Sequence, residues 1–210
     1  MFKLTPAAII FSSFLLTSFA HAAEQTRSVP AFKAINNKGA FSLVVEVGKV
    51  QSVVVKGDDK FISKVVTEVV GDELMVSYRE KNSIKISDDT QIIVTVPELV
   101  KFKMEGAGAT VINNVAGPRF DVNYEGVGSL VVTGKTQMLK LKVQGVGMVD
   151  TKGLIAETAD VNLEGVGSVK VYASERLKAT VQGIGSLNYY GNPRSISKSV
   201  EGIGSMRAGD

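Results

Sequence analysis

The sequence predicts an all-β protein built as a single-stranded parallel β-helix, a β-solenoid with about 19–20 residues per rung. Three observations carry that expectation. A Gly-x-Gly pair recurs six times in the second half, beginning at Gly106, Gly126, Gly145, Gly165, Gly183 and Gly202, in steps of 20, 19, 20, 18 and 19 residues. Apolar and polar residues alternate on both sides of each pair, as in Leu141-Lys142-Val143 and Val169-Lys170-Val171, the period of two that belongs to strands with one buried face. Turn residues such as Lys152-Gly153 and Gly191-Asn192-Pro193 close the units.

Taken in order, residues 1–22 read as a secretory signal peptide that is cleaved. Lys3 supplies the positive start, Ala7 to Phe19 the apolar core, and Ala20-His21-Ala22 the small-residue cleavage site, with cleavage after Ala23 as the neighbouring alternative. The core is shorter than the ~20 residues of a bilayer span, and no later segment is apolar for long enough to cross one. The mature chain is therefore expected to be exported, with no integral membrane span. Periplasm and secreted or cell-surface locations of a bacterium both fit.

Residues 23–100 keep the β pattern without the paired glycines. Phe41 to Val47, Leu74 to Tyr78 and Ile92 to Val96 alternate, and only Asp58 to Val65 offers a helical turn. They read as irregular opening β-coils that also form the N-terminal cap a solenoid needs. Residues 101–210 read as six Gly-x-Gly rungs, continuous with the first part as one domain. Parallel rungs bring equivalent positions into register ~4.8 Å apart, so Ala107, Val127, Val146, Val166, Ile184 and Ile203 fall in one column. The pattern leaves open whether that column faces the core or solvent. The sixth motif lies close to Asp210, so the last coil is expected to expose a C-terminal edge through which copies of the chain could associate.

Composition excludes several classes. The 210 residues contain no Cys, no Trp and a single His, His21, which lies in the signal segment. Disulfides, thiol catalysis, Cys-ligated metals, His-based catalysis and histidine pH switching are thereby absent from the mature chain. The formal net charge of +3 is spread along the sequence with no basic block interleaved with aromatics, so no nucleic acid is expected as a partner.

The glycine motif does not match nucleotide loops, since Gly126-Val127-Gly128-Ser129-Leu130-Val131 lacks a third Gly and a following helix. It does not match the calcium-binding nonapeptide repeat either. The position that needs Asp there holds Thr110, Leu130, Val149, Val169, Leu187 and Met206. The column Glu105, Glu125, Gln144, Glu164, Gln182 and Glu201 carries the most chemistry. Stacked carboxylates could share protons, bind a cation or serve as a glycosidase pair. The simpler reading is a polar ladder bonding its neighbours, interrupted by Gln144 and Gln182, and no pair is singled out. No catalytic, cofactor-binding or metal residue is therefore assigned, and no cofactor. Tyr189-Tyr190 places one ring in the core and one on the surface, and Lys101, Lys140 and Lys178 keep an exposed sheet soluble.

The chain resembles the auto-transporter adhesin head GIN domain family, exported bacterial proteins without an established activity. The resemblance rests on Phe32-x-x-Ile35-x-x-x-Gly39, on Ile92-x-Val94-x-Val96-Pro97-x-Leu99, on the repeated Gly-x-Gly and on Tyr190-Gly191-Asn192-Pro193. It implies a β-helix-like fold in the cell envelope and supplies no catalytic residues. The chain departs from the family in placing mostly Val or Ile, rather than Ser or Ala, between the glycines. The expected function is a non-catalytic, adhesin-like or scaffolding envelope protein that binds a surface protein or glycan. Two alternatives stand beside it: a polysaccharide-acting β-helix enzyme using carboxylates such as Glu125 and Glu164, and a self-assembling envelope protein.

Overall fold

The computed structural model of the protein describes residues 23–79 and 90–209. The signal-peptide reading of residues 1–22 lies outside the described residues. In chain order the first part contains β1 (Ala23–Arg27), β2 (Ala34–Asn37), β3 (Leu43–Val47), β4 (Ser52–Gly57), α1 (Asp59–Lys64), β5 (Val65–Val70), β6 (Glu73–Tyr78) and β7 (Gln91–Val96). The repeats contain β8 (Lys101–Met104), β9 (Ala107–Tyr124), β10 (Val127–Val143), β11 (Val146–Thr151), β12 (Leu154–Leu163), β13 (Val166–Tyr172), β14 (Arg176–Val181), β15 (Ile184–Tyr190), β16 (Ser195–Val200) and β17 (Gly204–Ala208). All of these strands join in one hydrogen-bonded sheet coiled into a solenoid.

Each rung contributes to two walls. The leading wall holds the segment before each Gly pair and stacks β8, the end of β9, the end of β10, β12, β14 and β16 in parallel. The trailing wall holds the segment after it and stacks β9, β10, β11, β13, β15 and β17, also in parallel. Strand rise limits how far 19 residues can reach, so a rung of this length encircles a narrow core once. That core is apolar: Leu130, Val132, Leu139, Leu163, Val169, Val171 and Leu177 are fully buried, each worth ~1.5–3 kcal/mol relative to exposure. Large rings, Phe102, Phe120 and Tyr124, fill the first rungs, while Ala156, Ala159 and Ala179 fill later ones.

The corner between the walls explains the paired glycines. A Cβ on Gly126 would sit 2.2 Å from the carbonyl oxygen of Gly106, and one on Gly128 would sit 2.1 Å from that of Gly108. Gly128 also has φ +132, so both space and backbone conformation demand glycine there. At the second corner β9 and β10 run through without a break, making single strands of 18 and 17 residues rather than two short ones.

The first part departs from a simple series of opening coils. β2 and β3 form a rung directly beside the first Gly-x-Gly rung: β2 pairs with β8, β3 with β9, and Ala40 bridges Ala107. Lys38-Gly39-Ala40-Phe41 thus occupies the corner, with Phe41 in place of the second glycine. Phe41 is free to be large because its ring turns into a cluster with Phe61 and Tyr78, at centroid distances of 6.1 and 4.4 Å. On the far side of this rung lie β6, parallel to β2, and β7, parallel to β3. The chain therefore lays down the inner rung first, leaves it, builds the outer one and then crosses back to begin the repeats.

Antiparallel strands finish that end: β4 pairs with β7, β1 with β4, and β5 with β6. The short α1 begins where the Asp58 carboxylate accepts from the Phe61 backbone N–H at 2.6 Å, a side-chain N-cap. It buries Phe61 and Ile62. At the other end β16 places Ile196, Lys198 and Val200 in register with the buried Leu177, Ala179 and Val181.

Candidate functional site

The six-membered polar column is real in space. Register puts Glu105, Glu125, Gln144, Glu164, Gln182 and Glu201 beside the corner on successive rungs, and the hydrogen bonds show what they do. Glu105 accepts from Lys103 Nζ at 2.7 Å and Asn36 Nδ2 at 3.1 Å. Glu125 accepts from Asn123 Nδ2 at 2.9 Å, and Lys103 lies 3.4 Å away. Glu164 accepts from Gln144 Nε2 at 2.6 Å and Asn162 Nδ2 at 2.7 Å. Glu201 accepts from Gln182 Nε2 at 3.0 Å and Ser199 Oγ at 3.1 Å. The two glutamines do more than interrupt the charge, because each donates to the carboxylate of the next rung.

These bonds favour the ionised form. The hydrogen bond from Lys103, and to a lesser degree that from Asn36, holds the Glu105 carboxyl below the usual carboxylate range, against partial burial that works the other way. Gln182 and then Ser199 do the same for Glu201. A general acid needs the opposite, a carboxyl kept protonated by burial or a like charge. The column is a hydrogen-bonded ladder in which Gln144 and Gln182 donate to carboxylate acceptors, and among the described residues no three or more His, Cys, Asp or Glu side chains converge as a metal-binding group.

The outer face of the leading wall carries an arrangement that single-rung reading misses. Register stacks Lys101, Asp121, Lys140, Asp160 and Lys178 in one column. Beside it Lys103, Asn123, Lys142, Asn162 and Thr180 stack in another. The first and third rungs thus present Lys-x-Lys, the second and fourth Asp-x-Asn, and the fifth Lys178 with Thr180. The three lysines singled out from sequence are the odd members of a two-rung alternation. Like charges directly opposite each other on neighbouring strands are destabilising, and the alternation avoids them, with Lys178 Nζ 3.9 Å from Asp160; Lys101 is held by Glu73 at 3.1 Å and Asp121 by Arg119 of its own strand at 2.7 Å. A shallow groove of about 210 Å³ crosses this face, lined by Lys101, Asp121, Val122, Asn123, Lys140 and Lys142. Its signal in the sequence was the 39-residue spacing between Lys101 and Lys140, two rungs apart.

The middle residues of the Gly-x-Gly motifs face solvent. Val127, Val146, Val166 and Ile184 are 45–56% exposed and Ile203 80%, so the column left open by the sequence points outward even though the chain bends at the first glycine of each motif. The tyrosines divide as expected: Tyr189 is buried, and Tyr190 lies at the surface with Lys152 Nζ 3.9 Å from its ring centre. Among the described residues no helix is long and apolar enough to cross a membrane.

The family described as "Putative auto-transporter adhesin, head GIN domain" matches residues 31–193, most of the chain. The protein belongs to that family. Among solved structures, a putative adhesin of Bacteroides fragilis is similar at 22% identity with a TM-score of 0.74, covering 90% of this chain and 98% of that one. A putative adhesin of Parabacteroides merdae is similar at 17% identity and TM-score 0.59, over 91% and 97%. A third structure, described as a putative lipid binding protein of Parabacteroides distasonis, is 20% identical with TM-score 0.51, over 91% and 98%. These likenesses show the shared β-solenoid fold. No curated protein matches the chain.

Proposed function

We propose that this head GIN protein is an exported, non-catalytic component of the bacterial envelope that holds a surface glycan along the outer face of its leading wall. The carrying observation is the alternation of Lys-x-Lys and Asp-x-Asn rungs around the groove at Asp121, Asn123, Lys140 and Lys142. Ammonium and amide donors interleaved with carboxylate and amide acceptors match sugar hydroxyls, which both donate and accept. The array recurs every two rungs, or ~9.6 Å, so a linear polymer can be contacted at several points at once. The family's adhesin-like description supports a binding role. The engagement of the column's carboxylates as hydrogen-bond acceptors supports a role without hydrolysis. Lys3, the apolar core that follows it and Ala20-x-Ala22 support export.

A screen of the chain against arrayed bacterial and host glycans tests the reading, with Asn123→Ala/Lys140→Ala as the comparison. Retention of a glycan that the double variant loses supports it. Retention of proteins only, or a glycan bound equally by both chains, sinks the proposed face. Protease digestion of the tagged protein on intact cells tests the location: cutting without lysis fits surface display, and protection until the outer membrane is opened replaces adhesion with a periplasmic role.

A further inference from the structure

We infer that two copies of the chain pack face to face through their trailing walls, leaving both leading walls free. On this wall the outward positions form three columns. The first is the aliphatic column from Ala107 to Ile203. The second is small or apolar, Ala109, Ser129, Met148, Ser168, Ser186 and Ser205. Neither contains a charge over six rungs. Glycines lie between the two columns, so the surface is flat. Val127, Val146, Val166 and Ile184 are about half exposed, as is Met148 at 51%, and a contiguous apolar stripe of this kind marks an interaction face.

The occupant follows from the symmetry of the stripe and from its third column. A two-fold axis parallel to the strands returns each column onto its own copy while reversing the order of rungs. Aliphatic then meets aliphatic, and the small or apolar second column meets itself without any charge. The third column reads Val111, Val131, Asp150, Lys170, Asn188 and Arg207. Placing the axis between the third and fourth rungs sets Asp150 of each copy opposite Lys170 of the other, where the two already pair within one chain at 3.2 Å. The four groups close into an alternating square. A one-rung shift would instead lay Lys170 on Lys170, so charge selects the register. About eighteen outward positions per copy approach the 20–30 residues a side of a standard interface, and sheets packed this way sit ~10 Å apart.

Sedimentation equilibrium of the chain tests this. A dimer is expected, and Val146→Lys/Val166→Lys should raise its dissociation constant at least tenfold with an unchanged circular dichroism spectrum. Asp150→Lys alone should weaken it similarly, and Asp150→Lys/Lys170→Asp should restore it. Because the chain has no cysteine, Met148→Cys and Ser168→Cys chains can be mixed and oxidised. The register predicts several-fold more cross-linked dimer from the mixture than from either chain alone. A monomer at every concentration overturns the inference, as does a dimer that the Val146→Lys/Val166→Lys variant leaves intact. The glycan screen reads the opposite wall, so either idea can fail without the other.

Discussion

Lys198 Nζ donates to the Tyr189 hydroxyl at 2.7 Å and lies 4.4 Å from the centre of the same ring. Register with Ala179 places Lys198 on the core-facing side of β16, where a hydrophobic residue would otherwise complete the last rung. An inward-pointing charge on a final strand blocks the addition of another chain, and the phenol gives that charge a partner. Without it, β16 would offer an open ladder flanked by Ile196 and Val200, which are 42% and 46% exposed.

Lys198→Val should therefore produce concentration-dependent higher assemblies, read by light scattering, while the native chain stops at a defined small species. Equal behaviour of the two chains would show that Lys198 does not guard the edge.

Gly128→Ala should destabilise the fold by about 3 kcal/mol or more in urea titration. It adds a Cβ at φ +132 that would lie 2.1 Å from a backbone oxygen of the neighbouring rung. In Gly153→Ala the tightest contact is the Thr133 methyl carbon at 3.0 Å, a side-chain atom that can move, while the nearest backbone atom, the Val132 carbonyl oxygen, lies at an ordinary 3.5 Å. This substitution should cost less than about 1 kcal/mol.

Asp160→Lys would put three cations in sequence along the leading wall, between Lys140 and Lys178. A loss of about 1 kcal/mol is expected at low salt, shrinking at high ionic strength as screening shortens the reach of exposed charges. A salt-independent loss would mean that packing, not charge, responds at this position.

Glu105 and Lys103 set opposite pH limits on one contact. The Glu105 carboxyl is held below its ordinary value of 4.5, so its contribution is present above that value and disappears as pH falls through the lower folded-state value. Lys103 is raised above 10.5, chiefly by its hydrogen bond to Glu105, so its contribution is complete below 10.5 and is lost as pH rises through the higher folded-state value. The difference in melting temperature between the native chain and Glu105→Gln should be largest near neutral pH and should close at strongly acidic pH. A constant difference across pH 3 to 8 would rule out this linkage.

Much of the repeat region was legible because each rung carries its own instructions. Gly126 and Gly128 mark the corner, Leu141 and Val143 mark the buried face, and Tyr189 and Tyr190 divide between core and surface as their alternation requires. What stayed hidden depends on which rung lies beside which. Nothing local to Ala34–Asn37 says that it sits between β6 and β8, because parallel partners are chosen through backbone bonds and core shape. Gly39-Ala40-Phe41 escaped notice because the aromatic cluster removed the need for a second glycine. The alignment of Lys101 beside Asp121 and of Asp160 beside Lys178 became visible only once the register joined residues about 20 positions apart.

That alternation also makes the molecule a ruler with a coarse division. Excising a single rung, from about 145 to 164, would bring Lys140 against Lys178, setting two cations opposite each other on neighbouring strands. Excising two rungs would restore the sequence of signs while shortening the stack by ~9.6 Å. The natural quantum of growth or loss for this scaffold is therefore a pair of rungs, near 39 residues, even though the backbone repeats after every one.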